Sequence, residues 1–396
     1  MAGRRRASRS ALVVLVLLLV SLVACGGRPA GDTAKADLQR VLDRRSTAVL
    51  DRDRGAFLTT GELGWFENLR GVPLSAWSYR VTSLHRTGDE ATAAAELRYR
   101  IEGYDNAPVT VGRTLTLSRE TDGQWYVDAD KPARKAAQQL WDQGGVTVVR
   151  GRHSLVLGTG HSSEALHTYA GLADKAVPAV SGAWGLEWTG KVVVLVPGSV
   201  EGMAGLLGSP ASQYRGIAAV TTGEVGGPPN APADRIIINP DAYSLLGPLG
   251  KQVVLTHETT HVATRAHTTA ATPLWLSEGY ADWIGYLGTT RTPSEAAPEL
   301  ARAVDEGRVP DSLPTDGDFG FSGDATKLAQ SYEAGWMACR MIAGQWGQER
   351  LGRFYRAVGD HQQRAGSVEN ALKTVLGTTS EKFTAQWRDY LQAQLG

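Results

Sequence analysis

Cysteine is scarce in this sequence, and no charge of either sign is in excess. Only Cys25 and Cys339 occur among 396 residues, which excludes a small disulfide-built scaffold and means that the fold depends on packing. The 41 basic residues balance the 41 acidic ones, so the composition gives no sign of nucleic acid as a partner. Charged residues make up 21% and hydrophobic residues 42%, which excludes a largely disordered chain. The length allows two folded domains.

One long apolar run is present, and it lies at the N-terminus. Four arginines within residues 4–9 precede an uncharged run at residues 11–24, which ends at Cys25. The run is shorter than the roughly 20 residues that cross a bilayer, and with its basic flank it is typical of an export signal. Leu22-Val23-Ala24-Cys25 resembles a bacterial lipobox, whose cysteine carries the lipid. We therefore expect a signal peptide at residues 1–25 and an extracytoplasmic lipoprotein anchored to the membrane through Cys25. The alternative is an uncleaved anchor helix.

Residues 36–130, after a linker at residues 26–35, have the pattern of an α+β domain. Apolar residues recur at helical spacing through residues 36–58 and predict an amphipathic helix. Alternating apolar and polar residues between positions 77 and 127, interrupted by turns at Gly88 and Gly123, predict antiparallel strands. A helix followed by a curved sheet resembles the cone-shaped fold of SnoaL-like and nuclear-transport-factor-2-like domains. That fold hosts enzymes, binders and scaffolds alike.

A second linker, residues 131–145, leads to a domain that extends over residues 146–396. A helical pattern covers residues 163–184, and beyond Pro248 the pattern is mostly helical to a last helix at residues 380–395. Apolar runs predict the strands of a small sheet at residues 146–149, 155–157, 191–197, 216–221 and 235–239. A sheet followed by helices makes the predicted fold class α+β.

The most informative motif is His257-Glu258-Thr259-Thr260-His261, an HExxH pattern within a predicted helix at residues 249–263. Residues four apart lie on one face of a helix, so both imidazoles can reach one metal ion. Glu258 then projects toward the open side of that ion. The pentapeptide alone also arises by chance, so it does not define a site.

A second stretch, PLWLSEGYAD at residues 273–282, follows this helix. Ser277 is a favourable N-cap, so we expect a new helix with Glu278 in its first turn, packed antiparallel to the first helix. The two motifs together resemble those of gluzincin zinc metallopeptidases, whose third zinc ligand is a glutamate in a WLxEGxA-like stretch. Sixteen residues separate His261 from Glu278, slightly fewer than in the aminopeptidase branch.

The resemblance implies one zinc ion per chain, bound by His257, His261 and Glu278. Two imidazoles and one carboxylate leave the fourth position for water, as in catalytic sites. Zinc lowers the pKa of that water to about 7, and Glu258 would take its proton and pass it to the departing amine. The alternative is that these four residues form a buried polar cluster or a decayed metal site.

Three more residues have weaker signals. Asp282 lies one turn after Glu278 and can accept a hydrogen bond from His257, although a solvated surface aspartate fits the spacing as well. Tyr332, in Ser331-Tyr332-Glu333-Ala334-Gly335, resembles the tyrosine of a YExG-like stretch that hydrogen-bonds the oxyanion in gluzincin aminopeptidases; the alternative is a core tyrosine. His267 is interpreted as solvated or substrate-facing, because three ligands are already supplied.

The aminopeptidases also carry a GxMxN stretch, and none of the four methionines here lies in one, so exopeptidase activity is not implied. The strand Arg235-Ile236-Ile237-Ile238-Asn239-Pro240 before the HExxH helix, and Leu376-Gly377-Thr378-Thr379 before a terminal helix with Phe383 and Trp387, are more similar to the smaller bacterial peptidase MA-like group. We therefore interpret the chain as an exported, lipid-anchored zinc metallopeptidase acting on a peptide or protein substrate. Two alternatives stay open: a catalytically silent zinc-binding or substrate-binding lipoprotein, and a zinc hydrolase of a non-peptide amide.

Overall fold

The computed structural model describes residues 30–186, 188–223, 231–320 and 324–396. Cys25 and the predicted signal peptide lie outside these ranges. Within them the chain combines two sheets with numerous helices, so the α+β class is confirmed. No helix in the described ranges is both long and apolar enough to cross a membrane.

The N-terminal part packs helices on a four-stranded antiparallel sheet. It comprises α1 (Ala30–Asp51), α2 (Arg54–Leu58), β1 (Leu74–Thr87), β2 (Glu90–Ile101), β3 (Val109–Arg119) and β4 (Trp125–Pro132), with the strands in sequence order. The single helix predicted at residues 36–58 is divided, because Arg52 has a φ of 56° and the Asp53 side chain caps α2. The resemblance to SnoaL-like domains remains a prediction.

The second sheet has five strands and follows a short helix. The elements are α3 (Leu140–Gln143), β5 (Val146–Arg150), β6 (Ser154–Thr159), α4 (Ser163–Trp184), β7 (Val192–Val196), α5 (Val200–Leu207), β8 (Ala219–Thr221) and β9 (Arg235–Ile238), with strand order β5-β6-β7-β9-β8. The central strands β6, β7 and β9 are parallel, and β5 and β8 pair antiparallel at the two ends. Val156, Val194 and Ile236 pack with α4 on one face.

The opposite face of the second sheet packs against the first sheet. Leu155, Leu157 and Val193 belong to the same buried cluster as Trp77 and Leu97 of the N-terminal sheet. Burial of apolar side chains from both parts stabilises their contact directly. Residues of both predicted domains therefore belong to one shared hydrophobic cluster.

The predicted linker at residues 131–145 is part of this core. Leu140 and Trp141 of α3 are buried, and the Asp142 carboxylate accepts hydrogen bonds from the buried Arg113 guanidinium at 3.0 Å. An exposed connector would have neither the buried indole nor the buried ion pair. The expectation of a linker is therefore corrected: this segment joins the two sheets by packing between them.

The rest of the chain is helical. The helices are α6 (Pro240–Ser244), α7 (Pro248–Thr264), α8 (Leu274–Tyr286), α9 (Pro293–Ala296), α10 (Pro298–Asp305), α11 (Ala325–Trp346), α12 (Gln348–Gly359), α13 (Ser367–Ala371) and α14 (Ser380–Leu395). Two glycines bring α8 and α11 into backbone contact. A Cβ atom on Gly279 would lie 2.2 Å from Gly335 O, and one on Gly335 would lie 2.5 Å from Trp275 O. This crossing brings the segments that contain Glu278 and Tyr332 together.

Candidate metal centre

The helix α7 carries the HExxH residues. It begins after Gly247 with Pro248 in its first turn, where the missing N–H has no partner in any case. Its buried threonines donate their hydroxyl hydrogen bonds to carbonyls four residues earlier, at 2.7–3.0 Å. These polar side chains are therefore buried with their hydrogen bonds made, and the helix presents His257 and His261 one turn apart.

The helix α8 begins one turn earlier than expected, and the N-cap prediction for Ser277 is wrong. Pro273 is the N-cap residue, and the Ser277 N–H already donates to Pro273 O at 3.0 Å. The first amide of the helix, on Leu274, donates to Asp316 Oδ1 at 2.9 Å. Because this acceptor comes from a distant part of the chain, the local sequence does not reveal it. Glu278 therefore lies in the second turn of α8.

The structure brings His257, His261 and Glu278 together. The two Nε2 atoms lie 3.0 Å apart, and Glu278 Oε2 lies 3.2 Å from His257 Nε2 and 3.4 Å from His261 Nε2. Tetrahedral zinc with bonds of about 2.0–2.1 Å places its ligand atoms about 3.3 Å apart. The observed triangle is close to that size, so one point lies at bonding distance from all three atoms. The donor set and its geometry both fit zinc.

Asp282 contacts the other nitrogen of His257. Its Oδ1 lies 2.7 Å from His257 Nδ1, and a donating Nδ1–H leaves the Nε2 lone pair for a metal. Burial lowers the pKa of His257, but the charges and hydrogen bonds of Asp282 and Glu278 raise this pKa well above its ordinary value. Burial raises the pKa of Glu278, whereas His261 and His257 together bring it well below its ordinary value. The charged forms of His257 and Glu278 are thus both favoured by their neighbours.

Glu258 is buried beside the ligand triad and has a partner that the sequence did not indicate. Thr221 Oγ1, at the end of β8, donates a hydrogen bond to Glu258 Oε2 at 2.6 Å. The same hydroxyl lies 3.1 Å from the Glu258 carbonyl oxygen. The predicted strand at residues 216–221 contains no motif that relates it to the HExxH helix. The pairing of β8 with β9 and the packing of β8 against α7 bring Thr221 to the site.

A cavity of about 660 Å³ opens beside His257 and Glu258. Its walls come from the segment before β8 and from α7, α8 and α11. Most of the lining side chains are apolar, and they include Ile217, Val254, Leu328 and Trp336. A mostly apolar pocket with a few polar groups at one end is the usual form of a small-molecule or side-chain binding site.

Tyr332 lies on the wall of this cavity. Its ring packs edge-on against Phe319, with ring centroids 5.1 Å apart. Burial raises the pKa of the Tyr332 hydroxyl, and the nearby charges of Glu278, Asp282 and Glu258 raise this pKa further. The hydroxyl is therefore neutral at ordinary pH.

Glu333 borders the cavity, and the sequence predicts that His267 is solvated or faces substrate. Glu333 accepts a hydrogen bond from the Leu300 N–H at 2.6 Å, and burial raises the pKa of its carboxyl to about 7. His267 lies away from the triad and packs against Trp184, with ring centroids 5.6 Å apart. Among the residues that the structure describes, His257, His261 and Glu278 form the group able to hold a metal ion.

The comparisons with known proteins give structural likeness only. The sequence matches no protein-family profile and no curated protein. The fold is similar to that of yeast LTA4 hydrolase, at 12% identity and a TM-score of 0.39, over 82% of this chain and 60% of that one. It is also similar to a two-domain M1 zinc metallopeptidase bound to L-arginine (10% identity, TM-score 0.38, 83% and 96% of the two chains). A third similar structure is an M1 zinc metallopeptidase from Deinococcus radiodurans (10% identity, TM-score 0.37, 83% and 95%).

The chain spans 60% of the length of the yeast protein. Identities and TM-scores this low do not establish a shared function.

Proposed function

We propose that this protein is a zinc-dependent metallopeptidase of gluzincin type. The observation that carries the proposal is the triangle of ligand atoms from His257, His261 and Glu278, with sides of 3.0, 3.2 and 3.4 Å. Glu258 lies on the same helix next to this triangle and is not a member of it. Three protein ligands with a separate carboxylate at hand are the arrangement of a catalytic rather than a structural zinc site.

The side chains around the site support this chemistry. A zinc ion at this position would supply Lewis-acid activation of a carbonyl group and of a water molecule. Glu258, oriented by Thr221, takes the proton of the attacking water and transfers it to the departing amine. Asp282 holds His257 in the tautomer that binds through Nε2. Tyr332 donates its hydroxyl hydrogen bond to the oxyanion that develops on the substrate carbonyl.

The neighbouring cavity indicates the substrate. Its volume of about 660 Å³ and its apolar walls favour a peptide with a large apolar side chain beside the cleaved bond. The absence of a GxMxN stretch from the sequence favours an endopeptidase of the peptidase MA-like kind over an aminopeptidase. We also propose that the protein is exported and anchored to the membrane through a lipid on Cys25.

Two variants test the proposed function. Purified protein from residue 32 onward should contain about one zinc ion per chain and should cleave members of an unbiased peptide library. Glu278→Ala should lose most of the zinc because it removes a ligand. Glu258→Gln should keep the zinc and lose cleavage, because the amide cannot accept the proton.

Full cleavage by Glu258→Gln would contradict the mechanism. Zinc binding without cleavage of any peptide by the wild-type protein would favour a silent binding module. Cleavage of amides that are not peptides would favour the other alternative. Metal content is measured by mass spectrometry on each variant, so a loss of activity is assigned to loss of zinc or to loss of chemistry.

A further inference from the structure

A buried ion pair connects the N-terminal sheet to the strand that precedes the metal-binding helix. Asp105 lies in the turn after β2, and its side chain is fully buried. Its Oδ2 accepts hydrogen bonds from the Arg235 guanidinium at 2.9 Å and from the Ile101 N–H at 2.7 Å, and its Oδ1 accepts one from the Ala233 N–H at 3.0 Å. A carboxylate with this many partners is strongly fixed in position.

Arg235 is the first residue of β9, and its backbone is hydrogen-bonded to Thr222, the residue that follows β8. The Arg235 N–H donates to Thr222 Oγ1 at 3.0 Å, and the Thr222 N–H donates to Arg235 O at 2.8 Å. The guanidinium also donates to Ala233 O at 2.7 Å. These bonds fasten the end of the β8–β9 pair at which the chain passes from β8 to β9, next to the point where Asp105 holds Arg235.

The strand β8 depends on this attachment. It has three residues, and in the described part of the chain it pairs with β9 alone. It also packs against α7, but its backbone hydrogen bonds within the sheet are with β9, so a shift of β9 displaces it. Thr221, its last residue, donates the 2.6 Å hydrogen bond to Glu258 Oε2. A displacement of β8 therefore changes the orientation of the Glu258 carboxylate.

A second ion pair ties the same segment to α7. Asp234, between Ala233 and Arg235, accepts a hydrogen bond from Arg265 Nε at 2.8 Å, and Arg265 directly follows α7. The residues just before β9 are thus held from two sides, by the N-terminal sheet through Asp105 and by the end of the metal-binding helix through Asp234.

We propose that Asp105 and Thr221 are positioning residues for Glu258, and that the N-terminal part of the chain sets the geometry of the catalytic base through the β8–β9 pair. This inference rests on the proposed function, because it concerns the base of that reaction. It gives the N-terminal part of the chain a role in catalysis itself.

A double-mutant cycle tests the proposal on the whole soluble chain. Thr221→Val removes the hydroxyl at constant shape, and Thr221→Ser retains it. Asp105→Asn keeps the size of the side chain and removes its charge. The control Gln143→Leu removes a contact of the segment that joins the two sheets, from Gln143 Nε2 to Gly202 O at 2.8 Å, which does not involve β8 or β9. Each variant is assayed for kcat, KM, zinc content and thermal midpoint.

The expected losses concern turnover. A misplaced reacting group costs up to about 100-fold, so kcat of Thr221→Val should fall about 10- to 100-fold while KM and zinc content stay the same, and Thr221→Ser should restore most of it. Asp105→Asn should lower kcat roughly 2- to 30-fold. In the double variant the two losses should not multiply, because Asp105 acts through Thr221. Gln143→Leu should keep wild-type kcat.

Hydrogen exchange provides a readout that does not depend on activity. Amides of β8 and β9 should exchange faster in Asp105→Asn than in wild type, with or without added zinc, and should be unchanged in Gln143→Leu. If Asp105→Asn does not fold, the pair Asp105→Leu/Arg235→Met replaces it, because removing both charges leaves no unpaired buried ion.

Several results would overturn the proposal. These are multiplicative losses in the double variant, equal kcat for Thr221→Val and wild type, or unchanged exchange in β8 and β9 of Asp105→Asn. If wild-type protein binds zinc and cleaves nothing, the proposed function fails. If it cleaves peptides but the cycle is multiplicative, only the positioning role fails.

Discussion

Removal of a single hydroxyl group from Tyr332 distinguishes a catalytic tyrosine from a structural one. In Tyr332→Phe the ring keeps its packing against Phe319, whose centroid lies 5.1 Å away. An oxyanion donor meets charge that develops only in the transition state, and its loss typically lowers kcat by about 10²- to 10³-fold. KM should change little because the ground state does not use this bond.

The structure also sets the expected effect on stability. Burial and neighbouring carboxylate charges, rather than a hydrogen bond, determine the pKa of the Tyr332 hydroxyl. Its removal should therefore change the free energy of unfolding by less than the about 1 kcal/mol of a typical hydrogen bond. A catalytic role thus predicts a large loss in kcat with an almost unchanged thermal midpoint.

The assay follows cleavage of a fluorogenic peptide selected from the library digest, with zinc content measured on the same preparations. Tyr280→Phe is the matched control, because Tyr280 is also buried on a helix of the site and its hydroxyl has no partner among the described residues. It should keep wild-type kcat. Near-normal turnover of Tyr332→Phe would refute the oxyanion role and assign Tyr332 to the core.

Three further predictions concern the metal, pH and attachment. Asp282→Asn weakens the orientation of His257, so the Kd for zinc should rise about 10- to 100-fold, as measured by chelator competition; an unchanged Kd would contradict this. The pKa of Glu333 is raised to about 7, so its contribution to stability is complete below its ordinary pKa of about 4.3 and is lost as the pH rises through 7. The difference in thermal midpoint between Glu333→Gln and wild type should therefore increase in favour of the variant by roughly 2–6 °C from about pH 5 to about pH 8. The same difference at both pH values would contradict the raised pKa of Glu333. Cys25→Ser should abolish acyl labelling in cells; label that persists would place the lipid elsewhere.

Local patterns in the sequence were sufficient to predict the helix that carries two of the candidate metal ligands, His257 and His261. The predicted helix at residues 249–263 agrees with α7 (Pro248–Thr264), because helical spacing, Pro248 and the apolar residues all act within a few turns. The i, i+4 spacing of His257 and His261 likewise places both imidazoles on one side without any information from elsewhere in the chain.

Interactions between residues that are distant in sequence could not be predicted from local patterns. In the local sequence Ser277 is the best N-cap residue, so the sequence predicts that α8 begins there. The helix begins earlier because its first amide donates to Asp316, which is distant in sequence. The mostly polar composition of residues 131–145 predicts a linker. Leu140 and Trp141 in this segment become buried only when the two sheets pack around them.

The chemistry of the candidate site could be predicted from the local sequence, because His257, Glu258 and His261 all lie on one helix and their spacing fixes their relative positions. Tertiary structure decided how that chemistry is supported. The contact of Thr221 with Glu258 and of Asp105 with Arg235 joins residues 37 and 130 positions apart. Such contacts depend on strand pairing and on packing between sheets. The sequence around a hydroxyl or a carboxylate does not show which distant residue it contacts. The residues to which we assign the proposed reaction therefore lie in short motifs, whereas the residues that hold them in place are defined by the fold.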